Sequence, residues 1–167
     1  MSLPPFKARS AVGLAVACMG WAGAAHGQPL TRPAPTLSEH GAAAVVEAAR
    51  QAALRAHASA AIAVVDPEGL LLAFIRMDDV RPGSVELAIG KARAAALMQR
   101  PTAELEENVA QGRVGLATAG LTALRGGAPL VVDGDYVGAV GIAGRVKEQD
   151  AQIAAEVAAG VSAPGRP

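Results

Sequence analysis

The chain has 167 residues, no net formal charge, 51% hydrophobic residues and only 2% aromatic ones. So even a charge balance excludes a strongly basic surface, and with it nucleic acid or an anionic membrane as the main partner. The length suits one domain, whose core must come from Ala, Val, Leu and Ile on elements that approach closely.

The first 27 residues read as a secretory signal peptide, domain segment 1–27. Lys7 and Arg9 form a basic start, Ala11 to Ala25 is apolar, and Ala25-His26-Gly27 is a small-x-small cleavage site before Gln28. Fifteen apolar residues are short for a membrane span. Lipoprotein processing at Cys18 is the weaker alternative, because Ala15 rather than Leu stands three residues before it. Cleavage would leave 140 residues, and the loss of Lys7 and Arg9 without any acid takes the charge to −2. The only Cys and the only Trp leave with the leader, so the mature protein has no disulfide and no thiolate ligand. The expected location is periplasmic or secreted, with no membrane span in the mature protein.

Residues 28–36 carry three prolines and read as an extended lead-in. Thr36-Leu37-Ser38-Glu39 has the form of a capping box, and the Ala-rich run after it predicts a helix to about His57. Ala60 to Asp66 is a short apolar strand. Pro67-Glu68-Gly69 turns the chain, and Leu70 to Met77 returns as its hairpin partner. That return strand is apolar on both faces, which predicts a central place in the sheet.

Ser84 is placed to cap a helix reaching Gln99, with Val85, Ala88, Ile89, Ala92 and Ala95-Ala96 as its buried stripe. Pro101 stops it, and Thr102 caps a second short helix through about Gln111. Residues 113–125 fit strand, loop or helix equally. Asp133-Gly134 then sits between two β-runs as a hairpin turn. A last helix spans about Lys147 to Ala159, and 161–167 reads as a flexible tail. The order α-β-β-α-α-β-β-α predicts an α+β domain, a largely antiparallel sheet with helices on its faces.

Nucleophilic catalysis is poorly supplied: the mature segment has two histidines, four serines and no G-x-S-x-G elbow. No catalytic residue is assigned. Gly138, Gly141 and Gly144 recur every third residue, a spacing that is not a dinucleotide fingerprint. Such glycines ease a bulge or tight helix–sheet packing, or let a flat ligand come close. Haem iron accepts His, Met or Tyr, so His40, His57, Met77, Met98 and Tyr136 are candidate ligands, among which the sequence does not choose. Arg76 ends a strand in Arg76-Met77-Asp78-Asp79. Lys91 and Arg93 form either a polar helix face or a cradle for carboxylates such as haem propionates. Glu104, Glu106 and Glu107 read as a solvated helix face.

The segment from Gly126 to Asp150 also resembles a known family. Its Gly-Gly-x-Pro start, Asp-Gly turn, VGA-x-G-x-x-G run and downstream Gln149-Asp150 are similar to the GlcG/HbpS family of haem-binding proteins, the DUF336 domain. Ala61 to Gly69, the Arg76–Asp79 strand end, Ser84 before Glu86 to Ala92, and Pro101-Thr102 match that family's motifs in order. The resemblance spans 37–160. It implies a profilin or roadblock/longin type of fold, haem or a related tetrapyrrole as ligand, a homo-oligomer, and a role in haem sequestration or sensing. His57, His40, Met77, Arg76, Lys91, Arg93, Gly138, Gly141 and Gly144 are the candidate cofactor-binding residues. One departure stands out: where many members carry an aromatic residue and a Thr after the Lys-Ala pair, this chain has Arg93 and Ala94. The alternative from another class is a small enzyme or enzyme accessory. It would act on a small oxygenated metabolite, with Arg76, Lys91 or Asp150 at a subunit interface.

Overall fold

The computed structural model describes residues 33–162. The expected signal peptide, most of the lead-in and the end of the tail lie outside the described residues. Helix α1 (Glu39–Arg55) begins at Ser38, whose hydroxyl accepts the Gly41 N–H at 3.1 Å. Ser38 therefore caps the helix, in place of the box expected from Thr36. Strands β1 (Ala61–Val65) and β2 (Leu71–Arg76) form the first hairpin, and α2 (Ser84–Met98) and α3 (Thr102–Ala110) follow. Residues 113–125, open at the level of sequence, hold a 3-10 turn at Val114–Thr118 and then loop. The second hairpin is β3 (Gly127–Val132) and β4 (Asp135–Ala143), and α4 (Lys147–Ser162) closes the domain. Asp133 and Gly134 both take positive φ, as a tight twisted hairpin turn demands.

The four strands pair antiparallel in the order β2-β1-β4-β3. β1 and β4 are therefore central, and β2 is an edge strand, contrary to the central place its composition suggests. The reason is local: Ala73, Ile75 and Met77 pack toward one helical layer and Phe74 toward the other. Apolar residues on both faces report two covered faces and nothing about what lies beside the strand.

The pleat divides the core in two. Ile62, Val64, Leu130, Val140 and Ile142 face α1 and α4, whereas Ala61, Ala63, Val65, Ala139 and Ala143 face α2. On the α2 side nearly every buried contact is alanine to alanine, which lets the helix backbone come down onto the sheet. Gly141 completes that approach, since a Cβ there would collide with the Ala88 carbonyl and the Ala92 nitrogen. Gly138, with φ of +149° and a β-bulge beside it, is packed against the Val65 carbonyl. Two of the three periodic glycines are thus filled by the protein's own backbone and leave no face for a flat ligand.

Two expected caps do other work. Ser84 is the first residue of α2 and is only 6% exposed, while Gly83 holds the cap position. Thr102 lies inside α3, and its hydroxyl accepts the Gly127 N–H at 2.8 Å and faces the Gly127 carbonyl at 3.5 Å, tying α3 to β3. The acidic face of α3 is not wholly solvated either. Glu106 binds Arg125 Nε and Lys147 Nζ (3.2 Å), linking α3 to the loop before β3 and to the start of α4.

Candidate functional site: a polar cleft at one end of the sheet

Three chain reversals meet where β1 begins and β2 and β4 end. After α1 the chain turns at His57, a non-glycine residue in left-handed conformation (φ +51°). The loop from β2 to α2 turns at Asp79, also left-handed (φ +63°), and the third reversal is Gly144 to Val146 between β4 and α4. Such backbone is uncommon for residues with a Cβ and concentrates at functional sites. The three segments enclose a cleft of about 320 Å3 whose polar lining includes His57, Asp79, Arg81, Ser84, Arg145 and Gln149. Among the described residues, no ion pair engages Arg81, Arg145 or Asp79. The Ser84 side chain likewise makes no hydrogen bond to a described residue. Two guanidinium groups against one carboxylate give the cleft a positive balance suited to an anionic group.

Behind the cleft lies a buried ion pair. Lys91 Nζ donates to Asp150 Oδ2 at 3.0 Å and to the Ile142 carbonyl at 2.8 Å. The other oxygen, Asp150 Oδ1, accepts the Gly144 N–H at 2.8 Å. The two side chains are only 5% and 6% exposed. Lys91 is therefore no part of a polar helix face: it points inward, and its charge is spent on Asp150. The pair holds Gly144, and with it one wall of the cleft, against α2 and α4. Its position was readable, because 84, 88, 91 and 95 share one helical stripe. A lysine on that stripe is the signal that sequence reasoning passed over.

Of the nine candidate residues, His57 and Gly144 line the cleft. His40 is exposed in the first turn of α1, about 25 Å along the helix from His57 at 1.5 Å per residue. Met77 is half-buried against the α1 side of the core, with its N–H on the Ala60 carbonyl. Arg76 is exposed at the end of β2. Arg93 Nε donates to the Gly69 carbonyl at 3.2 Å and steadies the β1–β2 turn. Gly138 and Gly141 are packing positions, as described above. The cleft's two arginines escaped sequence reasoning because they sit in loops far apart in the chain, where no periodicity marks them.

The donor set fits one side of a haem site. The His57 imidazole can ligate iron, and Arg81 and Arg145 can meet carboxylates. The volume is at the small end of ligand pockets, roughly 300–1,000 Å3, and neither Phe74 nor Tyr136 lines it. Among the described residues, no three His, Cys, Asp or Glu side chains converge as a metal cluster.

An antiparallel four-stranded sheet between helices, with a polar cleft at the ends of its strands, makes this an α+β domain. The family described as haem degrading protein HbpS-like matches residues 37–159, and the chain belongs to this GlcG/HbpS family. It is 46% identical to Protein GlcG of Escherichia coli strain K12 over 107 residues, covering 64% of this chain and 80% of that one. Its fold is similar to a double mutant of Streptomyces reticuli HbpS, with a TM-score of 0.73 and 28% identity, covering 95% of this chain and all of that one. A crystal structure described as a PduOC:heme complex aligns with a TM-score of 0.66 and 31% identity, over 74% of this chain and 94% of that one.

Proposed function

We propose that this is an exported haem-binding protein that sequesters or senses haem and works as a homo-oligomer. One observation carries the reading: His57, Arg81 and Arg145 converge on a single cleft with no ion pair engaging either arginine among the described residues. His57 would ligate the iron, and the two arginines would hold the propionates, while Gln149 and Ser84 line the space beside them. The bound group would supply a redox-active, light-absorbing iron centre. Membership of the HbpS-like family and likeness to a haem complex support the reading. Export rests on the basic, apolar and small-residue pattern of residues 1–27.

Hemin titration of the purified protein, followed by optical absorbance, tests it. The expected result is a sharp, saturable Soret shift near one hemin per chain, lost or shifted in His57→Ala and unchanged in His40→Ala. A broad, non-saturating spectrum, or one indifferent to His57→Ala, overturns it. A second reading has its own support in the cleft's small volume and the Ser84 side chain that lines it, which suit a small oxygenated carboxylate. A thermal shift with a 2-hydroxy acid, abolished by Arg81→Ala and Arg145→Ala together, would favour it over haem.

A further inference from the structure

We propose that the cleft takes a phosphate group at the bare start of α4. The proposal shares the cleft with the haem reading but stands on other atoms, and either can fail alone. Helix α4 begins without a side-chain cap. The Val146 carbonyl accepts the Asp150 N–H at 3.1 Å, which puts Val146 at the cap position, where its side chain offers no acceptor. Among the described residues, the N–H groups of Lys147, Glu148 and Gln149 meet no acceptor. The 16 residues of α4 align their peptide dipoles behind those donors. Gly144, Arg145, Val146 and Gln149 line the cleft, so this end of the helix lies against it.

A second observation comes from α2. Ser84 lines the cleft, is 6% exposed, and makes no side-chain hydrogen bond to a described residue. No fully buried side-chain oxygen or nitrogen among the described residues lacks a partner. The Ser84 hydroxyl therefore keeps its small exposure on the cleft side, aimed into the space and free to donate. The Ser84 and Val85 N–H groups are already taken by the Arg81 and Pro82 carbonyls, so α2 contributes the hydroxyl and not its first backbone donors.

The donors outnumber what a carboxylate can accept. Three N–H groups, one hydroxyl and the guanidinium forks of Arg81 and Arg145 border the space, against a single carboxylate, Asp79. A carboxylate has two oxygens, both in one plane. A phosphate group on an organic molecule has three acceptor oxygens and a charge of about −1.5 to −2 at neutral pH. Arg81 and Arg145 stand on different loops, and pairing from two directions suits a tetrahedral group better than a planar one. The cleft's volume of about 320 Å3 leaves room for an organic body beside the phosphate, with Ala58, Val80 and Val146 as apolar wall.

Isothermal titration calorimetry on the full chain tests the proposal, with glycerol 3-phosphate, inorganic phosphate and glycolate as probes and no hemin present. The expected result is saturable binding of one glycerol 3-phosphate per chain, with inorganic phosphate weaker and glycolate weaker still. Inorganic phosphate binding as tightly as glycerol 3-phosphate would support the site and make the free ion its ligand. Arg81→Ala together with Arg145→Ala should weaken binding by roughly tenfold or more, and Ser84→Ala by less. Val146 is 44% exposed, so Val146→Asp is tolerated. Its carboxylate would cap the free N–H groups and repel an anion, raising the melting temperature while binding is lost. A merely structural disturbance would lower both. Absence of phosphate binding overturns the proposal, as does glycolate binding as tightly as the phosphates, or phosphate binding that survives Val146→Asp. Should Val146→Asp unfold, the arginine pair decides. Hemin failing to bind would sink the haem reading and leave every one of these outcomes unchanged.

Discussion

Along β3 several outward-facing backbone groups are taken up within the domain: the Thr102 hydroxyl from α3 binds the Gly127 N–H, Pro129 lacks a donor, and the Ser162 hydroxyl from α4 reaches the Val131 carbonyl. Along β2, Phe74 and Arg76 present theirs with nothing opposite among the described residues, beside three exposed leucines. The β3 edge draws its protection from two helices distant in sequence, so it belongs to the tertiary fold. Among the described residues, the β2 edge is interrupted only by the bulge beside Leu72. A sheet built this way has a direction: its β3 side is tied into the domain by α3 and α4, and its β2 side is the more exposed.

The sealed side also carries the buried polar groups, and the largest expected effect lies there. Lys91→Ala should cost about 3–5 kcal/mol, because Asp150 would be left charged and buried. Urea denaturation would show it, and Lys91→Met with Asp150→Leu should recover much of the loss. If the single variant unfolds no more easily than the wild type, the pair does not anchor this side of the sheet.

Thr102→Val keeps the shape of the side chain but leaves the Gly127 N–H without its acceptor. The expected cost is about 1–3 kcal/mol, with faster amide exchange at Gly127. That variant would make the two edges more alike, and new association through β3 would sharpen the contrast between them.

A smaller effect depends on pH. Burial pushes the Glu106 carboxyl upward, but hydrogen bonds from Arg125 and Lys147 outweigh it and hold the group below its ordinary value of 4.5. A depressed carboxylate stabilises the fold fully above that ordinary value, and the contribution is lost as pH falls through the lower folded value. Urea midpoints should therefore drop on acidification below about pH 4.5, and Glu106→Gln should flatten part of that drop. An identical acid limb in the variant would remove the cluster from the account.

The smallest effect is at the open edge itself. Under dilute, monomeric conditions Leu72→Lys should change folding stability by less than about 0.5 kcal/mol, as at an ordinary surface position. A loss of several kcal/mol would mean that Leu72 supports the domain and that the β2 edge is less open than its exposure implies.

How much of this was readable in advance differs between fold and site. The hairpins, the helices and their order follow from local chemistry: Asp133-Gly134 tolerates positive φ at its turn, and the alanine-rich runs repeat at helical spacing. The family, too, was legible in the order of its short motifs, because those motifs record turns and close approaches that the fold cannot do without. The site was less legible. His57 was among the candidates, but Arg81, Arg145 and the left-handed Asp79 were not, since loops brought together from three parts of the chain share no pattern along it.

By itself the sequence determined the element types, the antiparallel hairpins and the poverty of large side chains that obliges α2 to lie close on Gly141. Tertiary structure alone decided that β2 is an edge, that Lys91 turns inward to Asp150, and that Thr102 seals a strand instead of capping its helix. The physical reason is one of range. Propensity, capping and pleat act over a few residues, whereas burial of a charge or closure of a sheet edge depends on which distant segment comes to lie beside it.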